Sequence, residues 1–172
     1  HDPNTGAQMY ESKDICAYLL REYGPENGQK ADTKSGPFAT SQLASTVRLG
    51  AGIKAKPSTQ PQQPLELFSF EASPYSRLVR EKLCQLGITY KLRNGGKQQR
   101  ADIGIPKLRP VPAKDYRPIE GTKRAELLER GGNVQFPYLY DPNTETGMYE
   151  SKDICAYLDR TYGAKGAAAA TA

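Results

Sequence analysis

Three short segments carry the residue types from which chemistry could be built: Ser73-Pro74-Tyr75-Ser76, Phe136-Pro137 and Glu150-Ser151. Ser73 follows an apolar run and precedes a proline, which marks a helix start with Pro74 in its first turn. A helix N-terminus presents unpaired N–H groups and positive dipole, and so lowers the pKa of a thiol placed there. Serine cannot supply that thiolate, so Ser73 and Ser76 exclude disulfide exchange at this position. Taken alone, Ser73 reads as the helix N-cap. Glu150 and Ser151 fall where a strand gives way to a helix. Ser151 is the expected N-cap there, and such a helix end suits a carboxylate.

Other chemistries find little support. The single histidine is His1, and the three cysteines, Cys16, Cys84 and Cys155, include no Cys-x-x-Cys, so the usual soft ligands assemble no metal site. The sparse, odd thiol count argues against a disulfide framework and for a reducing compartment. Cys84 and Cys155 lie in helical stretches and read as small structural hydrophobes. No apolar run approaches the ~20 residues that a membrane span needs. Of the net charge of +5, the segment Lys91–Arg130 supplies +6, with eleven Lys or Arg against five Asp or Glu. Such a stretch is a solvated face or a docking surface for an acidic partner. Nucleic acid is a weak reading, because only Tyr116 interrupts the basic stretch with an aromatic.

The elements that must position these residues follow from pattern. Leu65–Phe70 reads as a buried strand, and Tyr75–Leu86 as a helix with Leu78, Val79, Leu83 and Leu86 on its apolar face, stopped by Gly87. Ile88–Leu92 gives a second strand, hence a β-α-β unit and a parallel pair. Residues 94–119, with prolines at 106, 110, 112 and 118, read as a long loop. Thr122–Arg130 is a second helix, Val134–Tyr140 and Gly147–Tyr149 a strand pair around Asp141-Pro-Asn-Thr, and Ser151–Arg160 a final helix with Ile154, Tyr157 and Leu158 inward. The order is β-α-β-α-β-β-α, an α/β arrangement with helices on a central sheet.

Part of this unit occurs twice. DPNTGAQMYESKDICAYLLREYG at 2–24 returns as DPNTETGMYESKDICAYLDRTYG at 141–163, with 18 of 23 positions identical at an offset of 139. Residues 1–24 therefore read as the C-terminal β-α piece of a first unit, in a chain that is a fragment of a longer protein. They are expected to form the same hairpin strand and helix as the second copy. Residues 25–64, rich in Gly, Pro, Gln and Ser, read as linker, with a short helix expected over Ala39–Leu49. Residues 65–163 form the complete unit, and 164–172 a flexible tail.

These features resemble the thioredoxin fold in the version found as the N-terminal domain of glutathione transferases and in glutaredoxins. Ser73-Pro74-Tyr75-Ser76 is similar to the Cys-Pro-Tyr-Cys site of glutaredoxins with both cysteines replaced, and SPYSRLVREKLCQLGITY is similar to the same part of both families. Phe136-Pro137-Tyr138-Leu139 resembles the element that holds a cis-proline, and Glu150-Ser151 the pair that holds the γ-glutamyl end of glutathione. The likeness spans about residues 66–163. It implies glutathione as ligand, held by Ser73, Tyr75, Ser76, Phe136, Pro137, Glu150 and Ser151, with Asp153 a contact for the glutamyl amine. In this family frame Ser73 would donate a hydrogen bond to the bound thiolate, and the Phe136 backbone would pair with the peptide like an added strand. Retention of Glu11-Ser12 in the first copy fits either a site or inheritance of the fold. Tandem copies resemble glutaredoxin-like proteins of plants and green algae, which implies a chloroplast location.

Three functions follow as expectations. The first is a non-redox module that binds or scaffolds within a larger assembly, docking a protein partner through the basic loop 94–119. The second is a transferase-like enzyme that uses Ser73 on the glutathione thiolate. Against it stands a departure from the family pattern, in which an all-helical C-terminal domain builds the electrophile pocket, whereas nine residues follow Gly163 in this sequence. The third, redox sensing through Cys84 or Cys155, is the weakest.

Overall fold

Every strand in this protein is placed by what its neighbours can hydrogen-bond, and two of the boundaries show how. In the computed structural model, which describes residues 1–24, 54–103 and 115–164, the chain divides into units His1–Gly50 and Ala51–Ala172. The first unit holds helix α1 (Ser12–Tyr23). The second holds β1 (Leu65–Ser69), α2 (Pro74–Gln85), β2 (Tyr90–Asn94), a 3₁₀ turn at Arg100–Asp102, α3 (Lys123–Gly131), β3 (Tyr138–Asp141), β4 (Thr146–Tyr149) and α4 (Ser151–Tyr162). The expected β-α-β-α-β-β-α order is present. β2 begins two residues later than the pattern suggested, because the Ile88 N–H still donates to Leu83 O and closes the exit turn of α2. β3 begins four residues later, because Pro137 has no N–H to give a ladder.

The sheet order is β2-β1-β3-β4. β1 runs parallel to β2 and antiparallel to β3, and β3 runs antiparallel to β4. All five residues of β1 are buried, as a central strand covered on both faces requires. On one face Leu65 and Leu67 pack with Val79 and Leu83 of α2, Leu139 of β3 and Ile154, Tyr157 and Leu158 of α4. On the other face Phe68 packs with Leu127 of α3, Tyr116, Val134 and Tyr138. The expected helix faces are met, except that Leu78 is only partly buried.

Residues 56–63, linker by composition, are tied to the second unit. The Lys56 N–H donates to Gln85 O and the Thr59 N–H to Tyr162 O. Asn143 clasps Gln63 with two bonds, of 2.8 and 3.0 Å. The helix expected over 39–49 and the middle of the 94–119 loop, residues 104–114, lie outside the described residues.

Helix and turn of the first copy match those of the second, but the expected strand is not among the described residues of the first unit. Residues 7–10 match the β4 region, whose ladder needs β3 beside it. The Gly6 N–H still donates to Asp2 O and the Asp2 N–H to Ala7 O, so the turn closes without a sheet.

Candidate functional site

Register brings the three motifs to one end of the sheet. One step beyond the pair Phe68↔Tyr138, Ser69 comes level with Pro137; one step beyond Tyr138↔Tyr149, Glu150 does so from the other side. The chain leaving β1 reaches Ser73 four residues later, and its turn is closed by the Ser73 N–H donating to Phe70 O at 2.9 Å. Ser69 Oγ is buried here and has no hydrogen-bond partner among the described residues.

Ser73 is the N-cap of α2, and its Oγ accepts from the Ser76 N–H at 3.2 Å. Capping uses a lone pair and leaves the hydroxyl hydrogen able to donate, so the cap and a role toward a ligand are compatible. Ser76 is fully buried, and its Oγ accepts from the Phe70 N–H at 3.5 Å. It tethers the β1–α2 connection and does not face solvent. Tyr75 points outward, 61% exposed.

The Phe136-Pro137 bond is cis, as the family resemblance implied. Pro137 is buried, and the Phe136 ring lies over Gly95 so closely that a Cβ there would come within 2.2 Å of it. On the same ring rests the guanidinium of Arg124, 5.0 Å from the centroid. Arg124 is buried, donates from Nε to Gly96 O at 2.9 Å and lies 3.8 Å from Asp102. Burial works against the Asp102 charge. The Tyr116 hydroxyl, the N–H groups of Gln98 and Gln99 and the charge of Arg124 outweigh it and hold the carboxyl below the usual range. Pattern reading missed this cluster, because Arg124 belongs to a basic stretch that looks solvated. The pair Gly95-Gly96 was its one visible trace.

Glu150 and Ser151 depart from expectation by one residue. Glu150 is the N-cap of α4, with φ 65° and ψ 114°, and Ser151 is the first helical residue. No side chain caps this helix, so capping does not explain Ser151, which is buried. A positive φ at glutamate is costly and persists only where the surroundings dictate it. The Glu150 carboxylate is exposed and accepts from Gln135 Nε2 at 2.6 Å, a partner that the sequence did not suggest. First-turn N–H groups without a side-chain cap suit a carboxylate ligand. Asp153 is exposed in that turn.

Cys84 is exposed on α2, which corrects its reading as a small structural hydrophobe. Its helix position is two residues past Lys82, on the solvent side of the Val79–Leu83 face. Cys155 is half-buried against the core, with Sγ 3.8 Å from Leu78 O, and burial pushes its thiol up. Among the described residues no three His, Cys, Asp or Glu side chains group to hold a metal, and no helix is long and apolar enough to cross a membrane. Several basic side chains of the Lys91–Arg130 segment are paired: Arg93 and Arg130 with Glu66, Lys123 with Glu126.

Comparison with known proteins adds the following. The family model described as glutathione S-transferase, N-terminal domain, matches residues 67–166. A solved glutathione transferase of Bombyx mori is 20% identical with a TM-score of 0.42, covering 62% of this chain and 39% of its own. This chain thus spans well under half the length of that protein. No curated protein matches.

Proposed function

The chain belongs to the glutathione S-transferase N-terminal domain family, and from that premise we propose that its second unit is a non-redox glutathione-site module serving binding or scaffolding within a larger protein or assembly. The observation that carries this is the row formed by the end of β1, Pro137 and Glu150, beside an α4 N-terminus with no side-chain cap. A tripeptide thiol laid across that row would meet the Phe136 backbone at its centre. Its γ-glutamyl carboxylate would meet the first turn of α4, and its sulfur Ser73. Ser73 and Ser76 offer no thiolate, so the module performs no dithiol exchange.

The test is a glutathione titration of the 172-residue chain followed by NMR. Millimolar glutathione should move the amide signals of Ser73, Phe136, Glu150 and Ser151 together. Four unmoved signals would remove the reading. In a glutathione-coupled disulfide-reduction assay the chain should give background; activity lost on Cys84→Ser would place the chemistry elsewhere. A second reading, a transferase in which Ser73 donates to the glutathione thiolate, is favoured by the hydroxyl hydrogen that the cap leaves available. Under it, Ser73→Ala would raise the pKa of bound glutathione, at ~1.4 kcal/mol per unit. Under the binding reading that pKa would not change.

A further inference from the structure

Of the residues gathered at the end of the sheet, Phe136 is held in the least usual way. The ladder of β3 begins at Tyr138 and Pro137 has no N–H, so the sheet stops short of Phe136. Among the described residues no hydrogen bond is made to its main chain. Its place is therefore set by its ring. Gly95 meets the far edge of that ring, where a Cβ would collide with Cζ, and the Gly95 N–H donates to Ser69 O at 2.9 Å. That bond ties the ring's support to the end of β1. Over the ring rests the Arg124 guanidinium, 5.0 Å from the centroid.

An arginine is an unexpected occupant of that place. Arg124 is 3% exposed in the first turn of α3, and a buried guanidinium is unfavourable unless its charge is met. Here it is met on two sides. Nε donates to Gly96 O at 2.9 Å, and Asp102 lies 3.8 Å away, itself 2% exposed. Asp102 is fixed in turn by the Tyr116 hydroxyl at 2.5 Å and by the Gln98 and Gln99 N–H groups at 2.8 and 3.2 Å. For stability alone, apolar residues of similar volume often serve as well as a buried ion pair or better. What they do not supply is a flat, charged face locked in one orientation against an aromatic ring.

We propose that Arg124 is a positioning residue for the candidate site: clamped by Asp102, it sets the Phe136 ring and, through the ring, the main-chain edge with which a tripeptide would pair. The proposal rests on the glutathione-site reading and adds to it a residue that acts through Phe136. Asp102 and Tyr116 come from the two ends of the 94–119 loop, which Gln99 Nε2 also joins by donating to Arg117 O at 2.8 Å. The clamp thus fastens both ends of that loop to the ring that orients the site.

The test compares R124K with the unaltered 172-residue chain, by NMR relaxation without ligand and by glutathione titration. Lysine keeps the charge and loses the flat fork. In R124K the amide order parameter of Phe136 should fall from about 0.85 toward about 0.6, while that of Tyr138 in the ladder stays high. Glutathione should bind about fivefold more weakly, the effect of one misaligned main-chain hydrogen bond. In an F136L background, where no ring remains to be set, R124K should change the dissociation constant no further. L83A, in the other core cluster, controls for stability: it should lower the denaturation midpoint and leave glutathione affinity unchanged. D102N should act as R124K does, and it carries the same comparison if lysine at 124 prevents folding. A Phe136 as ordered in both variants as in the unaltered chain, an unchanged dissociation constant, or an equal loss with and without the ring would overturn the proposal. An unaltered chain that does not bind glutathione would overturn the glutathione reading instead, and the order of Phe136 in the ligand-free variants would still decide the role of Arg124.

Discussion

Two stretches with 18 of 23 residues in common meet different fates in one molecule. In both, an aspartate accepts from two tyrosine hydroxyls: Tyr18 and Tyr23 reach Asp2 at 2.6 and 2.5 Å, and Tyr157 and Tyr162 reach Asp141 at the same distances. In both, a glutamate with positive φ opens a twelve-residue helix and a glycine closes it. Only the second copy has a strand, β4, and only there are the isoleucine and leucine of the helix buried. The features they share are bonded within 21 residues of chain. Those that differ rest, in the second copy, on β1, β3 and α2 of its own unit. Local chemistry sets the shape of the tail; long-range burial sets its stability.

The largest test of this contrast is a paired truncation. Leu158→Ala should destabilise the second unit by about 3 kcal/mol, since it opens a cavity in a close-packed cluster. Leu19→Ala, at the same position of the exposed copy, should change denaturant stability by less than about 0.5 kcal/mol. Equal costs would mean that the first copy is packed after all.

Next comes the aspartate. Asp141→Asn weakens charge-assisted bonds from two buried tyrosines, an expected loss of about 2 kcal/mol, while Asp2→Asn should leave the midpoint of the second unit unchanged. The sign with pH follows from the direction of the shift. Burial opposes the Asp141 charge, but Tyr157, Tyr162 and Asn143 outweigh it, so the folded carboxyl titrates below its unfolded value. Its contribution is therefore complete above the unfolded value of about 3.9 and is lost as pH falls through the lower folded value. Acid titration of the native chain should show this loss below about pH 4. Asp141→Asn should remove that part of the acid dependence. Asp2, held by Tyr18, Tyr23 and the Asn4 N–H, titrates at about 2, and by the same sign its turn should weaken as pH falls below the unfolded value toward that point.

The smallest effect concerns backbone shape. Glu150→Gly relieves a positive φ at the cost of chain entropy, for a net gain of about 1 kcal/mol in thermal or chemical denaturation. Glu11→Gly should raise the helicity of α1 by circular dichroism for the same local reason. A gain at one glutamate and a loss at the other would show that the sheet, not the strand-to-helix junction, imposes the angle.

Much of the fold was legible because its signals are local. Alternating and helical apolar spacing gave each element of the second unit in order, Pro74 and Gly87 marked the ends of α2, and the resemblance around Phe136-Pro137 implied the cis bond found there. Parts of the candidate site were not legible. Ser151 looks like a cap by residue type, yet the helix starts on it because Glu150 takes the turn. Arg124 looks solvated by composition, yet Asp102, Gly96 and the Phe136 ring enclose it. Each of these depends on partners 12 to 28 residues away or on the route of the backbone between elements, and neither is visible in spacing.

By itself, then, the sequence determined the repeat, the order of strands and helices, the absence of thiolate chemistry at residues 73–76 and the internal turn of each tail. These rest on residue types and on bonds closed within one short segment. The tertiary structure alone decided that residues 146–149 become a strand and residues 7–10 do not, that Ile154 is core while Ile15 meets solvent, and that Pro137 and Glu150 come level with the end of β1. The physical reason is that a ladder and a buried side chain each need a second surface, which the second copy finds in β1, β3 and α2 of its own unit.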